Sequence, residues 1–240
     1  MKLIIFSTRT RHHYHFIQNI SKEFDIQQII FEKKKLKLAF QTGPFFEERE
    51  NEFEDDNFES LSNDFFEMLE KKSLDIYSVN QPGMKAYLES LKPDLIWVYG
   101  TGRIQPHIIE IPKWGMVNLH GGISQKYRGL DSTLWALYNK DFDSIGLTIH
   151  YVAPELDTGD ILTQRKMDIH SSDEIFHFRY RMTLMATEYS LFLLHKFQQN
   201  RESLPATPQI PGKYYSAMPV NMKHQALMNF KLYQQKDFVK

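Results

Sequence analysis

The sequence predicts an α/β fold: an open, mostly parallel, twisted sheet with helices on both faces, plus a small C-terminal appendage. Short continuous apolar runs at residues 3–6 and 26–31 are typical of strands that are buried on both faces. Between them, residues 15–24 carry apolar side chains at helical spacing. A strand, a helix and a second strand in this order are the usual opening of a parallel sheet.

The alternation continues along the chain. Strands are predicted at 75–79, 94–99, 115–120, 145–152 and 161–169, and helices at 84–91, after Pro106, at 131–138 with Asp131 as N-cap, and from Ser172-Asp173 to about 199. Residues 45–71 predict one long amphipathic helix, continuous or broken, and its acidic part at 47–59 is interpreted as a solvated outer face.

The chain is divided into a catalytic domain at 1–203 and an appendage at 204–240. Four prolines interrupt the second segment, which predicts only one helix, at 222–230. We expect this appendage to offer a dimer surface, so a homodimer is predicted.

Composition narrows the class of function. The 29 basic and 30 acidic residues give a net charge of -1, which indicates neither a nucleic-acid nor a membrane partner. The chain has no cysteine, which excludes disulfides, thiolate metal sites and a cysteine nucleophile and fits a reducing cytoplasm. No signal-peptide core and no apolar run of membrane-spanning length are present, so a cytoplasmic protein is expected.

Two polar side chains at the end of a predicted strand are the first candidates for chemistry. Asn118 and His120 lie two residues apart, so they point to the same side of the strand, and Gly121-Gly122 follow. An amide beside an imidazole suits acyl transfer, because one stabilises an oxyanion while the other moves a proton. Asp157 lies in a turn between two predicted strands and could orient His120. Ordinary hydrogen bonding of the pair and an Asx-turn at Asp157 are the structural alternatives.

An ordered set of motifs gives these residues a context. The set is Asn118-x-His120, Tyr127-Arg128-Gly129, Trp135-Ala136, Gly146-x-Thr148-x-His150 and Leu156-Asp157-Thr158-Gly159-x-Ile161. It resembles the formyltransferases built on the glycinamide ribonucleotide transformylase fold, most closely the bacterial sugar N-formyltransferases. Relatives usually carry Leu-Leu-Pro after the catalytic loop, whereas this chain has Ile123-Ser124-Gln125.

The resemblance implies a Rossmann-like formyltransferase core, with Asn118, His120 and Asp157 as the catalytic set and 10-formyltetrahydrofolate as the formyl donor. No metal is implied. It places the folate on two loops, and the expected contacts are Val98, Tyr99, Gly100, Thr101, Arg103, Ile104, Val152, Glu155 and Leu156.

The acceptor amine is predicted from the loop after the first strand and from the catalytic loop. The expected substrate contacts are Arg9, Arg11, His12, Gly121, Gly122, Lys126 and Tyr127. The loop arginines suit a pyrophosphate; a solvated helix start and a metal site are the alternatives there. The expected acceptor is a nucleotide-linked amino sugar, a precursor of cell-surface polysaccharide such as lipopolysaccharide O-antigen. A hydroxyornithine-type amine, hydrolysis of the donor, and a non-catalytic folate- or sugar-binding module stay open.

Overall fold

The computed structural model describes residues 1–34, 38–43 and 45–237, so residues 35–37, 44 and 238–240 lie outside the described residues. The strands are β1 (Leu3–Ser7), β2 (Ile26–Glu32), β3 (Ser73–Ile76), β4 (Leu95–Val98), β5 (Met116–His120), β6 (Tyr127–Gly129), β7 (Gly146–Tyr151), β8 (Ile161–Lys166) and β9 (Lys213–Tyr215). The helices are α1 (Arg11–Glu23), α2 (Glu47–Asn57), α3 (Asn63–Lys72), α4 (Met84–Leu91), α5 (Pro106–Ile109), α6 (Ser132–Tyr138), α7 (His177–Asn200) and α8 (Val220–Asp237), with a 3₁₀ turn at Phe142–Ser144.

Seven strands form one sheet in the order β3-β2-β1-β4-β5-β7-β8. The pairs from β3 to β5 are parallel, and β7 and β8 extend the sheet by antiparallel pairing. Strands β6 and β9 form a separate parallel pair. The prediction of an open, mostly parallel sheet is confirmed.

Alternation along β1 explains how both faces are covered. Leu3 and Ile5 belong to a large apolar cluster that also contains residues of α1, α7 and α8. Ile4 and Phe6 belong to a second cluster on the opposite face, with residues of α4 and α5. All four side chains are fully buried, as a central parallel strand requires.

The segment predicted as one helix at 45–71 is two helices, α2 and α3. The chain leaves helical conformation at Phe58, whose side chain is buried. The second helix begins after Ser62, whose hydroxyl accepts the N–H of Phe65 at 3.1 Å. The break lets the acidic helix α2 pack against α7 and not simply against solvent.

Two predicted caps differ from the structure. Asp131 precedes α6 but has a left-handed backbone, with φ at 51°, and its carboxylate accepts the N–H of Met218 at 2.7 Å. Asp173 accepts the N–H of His170 at 2.7 Å and pairs with Arg181, and α7 begins later, at His177. Asp131 therefore occupies the predicted N-cap position of α6, but neither carboxylate makes a capping hydrogen bond, because both hold loops instead.

The C-terminal segment is packed into the main apolar cluster. Leu204, Met218 and Phe230 are buried in it. The strand β9, which the sequence did not predict, pairs with β6 next to the catalytic loop. The division at residue 204 and the dimer surface stay predictions.

Within the described part of the chain, no helix combines the length and the apolar character that crossing a bilayer demands.

The role of α8 in the core gives a stability prediction. We expect Phe230→Ala to lower the free energy of unfolding by about 3–5 kcal/mol, because a fully buried ring is replaced by a cavity. Lys231→Ala, on the same helix but exposed, is the matched control and should change it by less than about 0.5 kcal/mol. Urea unfolding measures both. Equal small effects would show that α8 does not take part in cooperative unfolding of the core.

Candidate active site

The site lies at the carboxyl ends of β1, β4 and β5. The helix that follows β1 packs on one face of the sheet, and the helix that follows β4 packs on the other. Two neighbouring parallel strands whose connections leave in opposite directions create a crevice between their loops. The segment from Tyr99 to Gln105 lines this crevice.

Asn118, His120 and Asp157 converge at the end of β5. The amide nitrogen of Asn118 donates to Oδ1 of Asp157 at 3.2 Å. Nδ1 of His120 lies 3.4 Å from Oδ2 of the same carboxylate. These distances show that the structure brings the three predicted catalytic residues together. His120 and Asp157 are both buried.

Both ring nitrogens of His120 face oxygen atoms. Nε2 lies 2.8 Å from the carbonyl oxygen of Tyr127, which can only accept, so Nε2 carries a proton. Ser132 Oγ lies 3.3 Å from the same nitrogen. Nδ1 faces the Asp157 carboxylate, so both nitrogens of the ring are held by fixed oxygen atoms.

The carboxyl group of Asp157 is ionised despite its burial. Burial alone would raise its pKa, but the charge of His120, the hydrogen bond and charge of His150 and the Gly129 N–H outweigh that effect and lower the pKa to about 2. Asp157 is therefore a fixed negative charge at neutral pH, able to stabilise a charged imidazole.

Backbone geometry and the strand β6 hold Asp157 in place. Its own φ is 54°, an unusual left-handed conformation for a residue with a side chain. Oδ2 accepts the N–H of Gly129 at 2.8 Å. Arg128 donates to the carbonyl oxygens of Leu156 at 3.0 Å and Gly212 at 2.6 Å, and so ties the Asp157 loop to the C-terminal segment.

His150 is a site residue that the sequence analysis did not select. It lies opposite Asn118 in the antiparallel β5–β7 pair. Its Nε2 is 3.3 Å from the Asn118 amide nitrogen and 3.4 Å from Asp157 Oδ1, while Nδ1 donates to the Tyr151 carbonyl at 2.7 Å. The alternation of Thr148 and His150 was the available signal, because both share one face of β7.

Gly122 and Thr148 shape the loop behind His120. A Cβ on Gly122 would lie 2.5 Å from Cβ of Ser132 and 2.7 Å from Nε2 of His120, so only glycine leaves the imidazole in position. Thr148 donates its hydroxyl proton to the Gly122 carbonyl at 2.7 Å and accepts the N–H of Ser124 at 3.1 Å.

A cavity of about 680 Å³ opens on one side of the catalytic group. The three predicted catalytic residues and all of the predicted folate contacts line it, namely Val98, Tyr99, Gly100, Thr101, Arg103, Ile104, Val152, Glu155 and Leu156. Glu32, which the sequence analysis did not select, holds one wall: its carboxylate accepts the N–H groups of Gly102 at 2.8 Å and Val79 at 3.0 Å. We refer to this space as the donor cavity.

A second cavity, of about 430 Å³, lies on the other side of His120. It shares part of its wall with the donor cavity, through Tyr99, His120, Gly121, Gly129 and Leu130. The remaining wall comes from α1, α2, α6, α7 and α8, including the predicted contact His12. We refer to it as the acceptor cavity.

The cations of the acceptor cavity are already paired. Arg179 lies 3.0 Å from Oε2 of Glu50 and 2.6 Å from Oε1 of Glu54. Lys223 pairs with Glu47. Burial raises the pKa of Glu50 to about 8, although the charge of Arg179 opposes the shift. The described lining residues thus offer carboxyl groups and no unpaired cation.

Three predicted substrate contacts are held away from both cavities. Arg9 pairs with Asp75 and covers the Phe31 ring. Arg11 donates to the carbonyls of Phe58 at 3.1 Å and Glu59 at 2.9 Å. Lys126 pairs with Asp141 at 3.1 Å. All three side chains are held by local acceptors, and this arrangement does not support them as substrate contacts.

The other predicted substrate contacts surround His120. Gly121 lines both cavities. Gly122 packs behind the imidazole, and Tyr127 contributes its carbonyl oxygen while its ring packs on Tyr215. Across the described ranges, no three His, Asp or Glu side chains converge as metal ligands would.

The depressed pKa of Asp157 predicts a pH-dependent stability. The pKa of an Asp side chain in the unfolded chain is about 3.9. Above that pH, ionised Asp157 adds its full contribution to the free energy of unfolding, on the order of 2 kcal/mol. This contribution is lost as the pH falls toward the folded pKa of about 2. We expect the advantage of the wild type over Asp157→Asn in urea unfolding to shrink over that acid window. An advantage that is independent of pH would contradict the ionised, stabilised carboxylate.

Comparison with known proteins places this geometry in a family. A family model described as formyl transferase matches residues 20–190, well over half of the chain. Methionyl-tRNA formyltransferase from Geobacter metallireducens is 33% identical over 111 residues, which are 46% of this chain and 35% of that protein. Matched segments therefore span only about a third of the length of such curated relatives.

Two solved structures share the fold. A 4-N formyltransferase from Francisella tularensis superposes with a TM-score of 0.63 at 17% identity, covering 95% of this chain and 87% of that one. HypX from Aquifex aeolicus in complex with tetrahydrofolic acid gives a TM-score of 0.60 at 16% identity, covering 99% of this chain and 34% of that one. At these identities the likeness extends to the fold alone. With the matching family model, it shows that this chain belongs to the formyl transferase family.

Proposed function

We propose that this protein transfers the formyl group of 10-formyltetrahydrofolate to the amine of a small acceptor. One observation carries the proposal: two cavities share a wall at His120, where an amide, an imidazole and an ionised carboxylate converge. A donor in one cavity and an amine in the other would meet at that wall. Family membership and the tetrahydrofolate complex of a protein with this fold support folate as the donor.

The catalytic group suits an addition–elimination reaction. The neutral amine attacks the formyl carbon, and the carbonyl oxygen gains negative charge in the tetrahedral intermediate. Asn118 Nδ2 and the charged His120 are positioned to stabilise that oxygen; one such donor is typically worth about 3–4 kcal/mol of barrier. His120 then supplies a proton to the departing folate nitrogen and takes up the proton that the acceptor nitrogen loses, and Asp157 stabilises the charged imidazole between these steps.

We further propose that the acceptor is a nucleotide-linked amino sugar. Sugar N-formyltransferases with this fold support the choice of acceptor. The carboxyl groups of the acceptor cavity suit the hydroxyl and amine groups of the sugar, whereas its paired Arg179 and Lys223 leave no cation for a pyrophosphate. The proposal therefore puts the aminated ring inside the cavity and the pyrophosphate beyond it.

We also propose that the protein is a cytoplasmic homodimer and that it modifies a precursor of cell-surface polysaccharide. Half-exposed apolar side chains on α7 and α8 support a contact between copies of the chain, namely Leu184, Phe192, Met228 and Leu232.

A product assay tests the reaction. The protein is incubated with 10-formyltetrahydrofolate, with and without a panel of nucleotide-linked amino sugars, and release of tetrahydrofolate is followed. We expect release that depends on the acceptor. Release without an acceptor would indicate a hydrolase, and tight folate binding without release would indicate a binding module; either result would contradict the proposal.

Substitution of the catalytic group tests the mechanism. We expect Asn118→Ala to lower kcat by about 10²–10³-fold and His120→Ala by about 10²–10⁴-fold, because an oxyanion donor and a proton relay are lost. Asp157→Ala should also lose most turnover. His107→Ala, an exposed histidine on α5, is the control. Near-normal turnover of folded His120→Ala would refute this mechanism.

A further inference from the structure

A second histidine–carboxylate pair faces the acceptor cavity. Nδ1 of His12 lies 3.4 Å from Oε2 of Glu54, the same separation as between Nδ1 of His120 and Oδ2 of Asp157. His12 and His120 both line the acceptor cavity. Each of these two histidines is paired with a carboxylate behind it, His120 with Asp157 at the sheet end and His12 with Glu54 on α2.

The surroundings of the Glu54 carboxylate allow it to stabilise a positive charge on His12. Its side chain is 0% exposed, and Oε1 accepts from Arg179 Nε at 2.6 Å. The other oxygen, Oε2, is buried without a hydrogen bond and lies beside His12. An unsatisfied buried carboxylate oxygen is costly, and a proton on His12 would satisfy it.

His12 is available to receive a proton. Burial lowers its pKa, so the ring is neutral at physiological pH. The groups that face it are Glu54 on α2, Arg179 on α7, His13 on its own helix, Tyr99 at the end of β4 and the Thr10 hydroxyl. Of these, only Glu54 is a carboxylate, and it is the group that would favour the charged form.

The reaction needs a proton acceptor on this side. An alkyl amine is mainly an ammonium ion at neutral pH, and only the neutral amine attacks a formyl carbon. His120 acts on the formyl side in the proposed function, and both of its ring nitrogens already contact protein oxygen atoms, of Asp157 and of the Tyr127 carbonyl. On the basis of the proposed function, we propose that His12 is the catalytic base that accepts a proton from the acceptor ammonium, with Glu54 as its positioning residue.

The step balances as follows. The ammonium N–H bond breaks and an N–H bond forms on His12, which becomes charged beside Glu54. The amine nitrogen then forms a bond to the formyl carbon, the bond from that carbon to the folate nitrogen breaks, and His120 protonates the folate nitrogen. The amide nitrogen gives up one proton to His120, and His12 returns its proton to solvent.

Variants of His12 test the inference, with acceptor-dependent release of tetrahydrofolate at neutral pH as the assay. We expect His12→Gln to lower kcat by about 10²–10⁴-fold, with unchanged affinity for tetrahydrofolate in calorimetry. His12→Ala should be equally slow, and added imidazole should restore its turnover while leaving the wild type unaffected. His15→Gln, on the same helix with its ring stacked on Phe58, is the matched control and should keep near-normal turnover.

Glu54→Gln tests the positioning role. Its amide oxygen can still accept from Arg179, but it cannot stabilise a charged His12. We expect kcat to fall by about 10-fold or more with the KM for the acceptor unchanged. A merely structural role would lower the thermal midpoint or raise KM and leave kcat near normal.

The outcomes separate this inference from the proposed function. Release by the wild type together with His12→Gln turnover within about threefold of normal would overturn the inference alone. A folded, folate-binding His12→Ala that imidazole does not rescue would overturn the base role as well. No acceptor-dependent release by the wild type would overturn the proposed function, and this inference with it.

Discussion

The buried carboxylate of Asp157 is the constraint on which the active site depends. It accepts from the Asn118 amide and the Gly129 N–H and faces the rings of His120 and His150. These partners come from β5, β6 and β7, so one side chain joins three strands at the point of reaction. Burial would be unfavourable for the charge alone, but the surrounding donors and imidazoles keep it ionised with a pKa near 2. The ionised carboxylate in turn fixes the orientation of His120.

The C-terminal segment takes part in holding that carboxylate. Gln209 donates to the carbonyl oxygens of Asp157 and Gly159, and it accepts the Ser124 hydroxyl proton at 2.7 Å. Ser124 is part of the Ile123-Ser124-Gln125 stretch that follows Gly121-Gly122, and this contact gives the stretch a defined structural use. The strand β9 supports β6, which presents Gly129 to Asp157. The tail therefore contributes to the geometry of the site as well as to the core.

The sequence predicted the features that depend on local patterns of apolar residues. It did not predict contacts between side chains that are far apart in the chain. Apolar runs and helical periods predicted the strands of the seven-stranded sheet, including the antiparallel β7 and β8, and the helix α4, because period and burial are encoded within a few residues. The motif spacing selected Asn118, His120 and Asp157. The acceptor cavity was not predictable in the same way: His12 meets Glu54 and Arg179 only because α1, α2 and α7 pack together. The acidic segment at 47–59 appeared to be a solvated face, yet Glu50 and Glu54 are buried against α7.

Two cavities meet at the imidazole of His120, and the proposed function puts the folate donor in the cavity on the β4–β5 side and the amine in the cavity on the helical side. The measurement that tests this most directly is a crystal structure with a stable 10-formyl folate analogue. We predict that the pterin binds in the donor cavity, between residues 98–104 and residues 152–156, and that the formyl oxygen lies within hydrogen-bond distance of Asn118 Nδ2. A folate bound in the acceptor cavity, or a formyl group remote from Asn118 and His120, would contradict it.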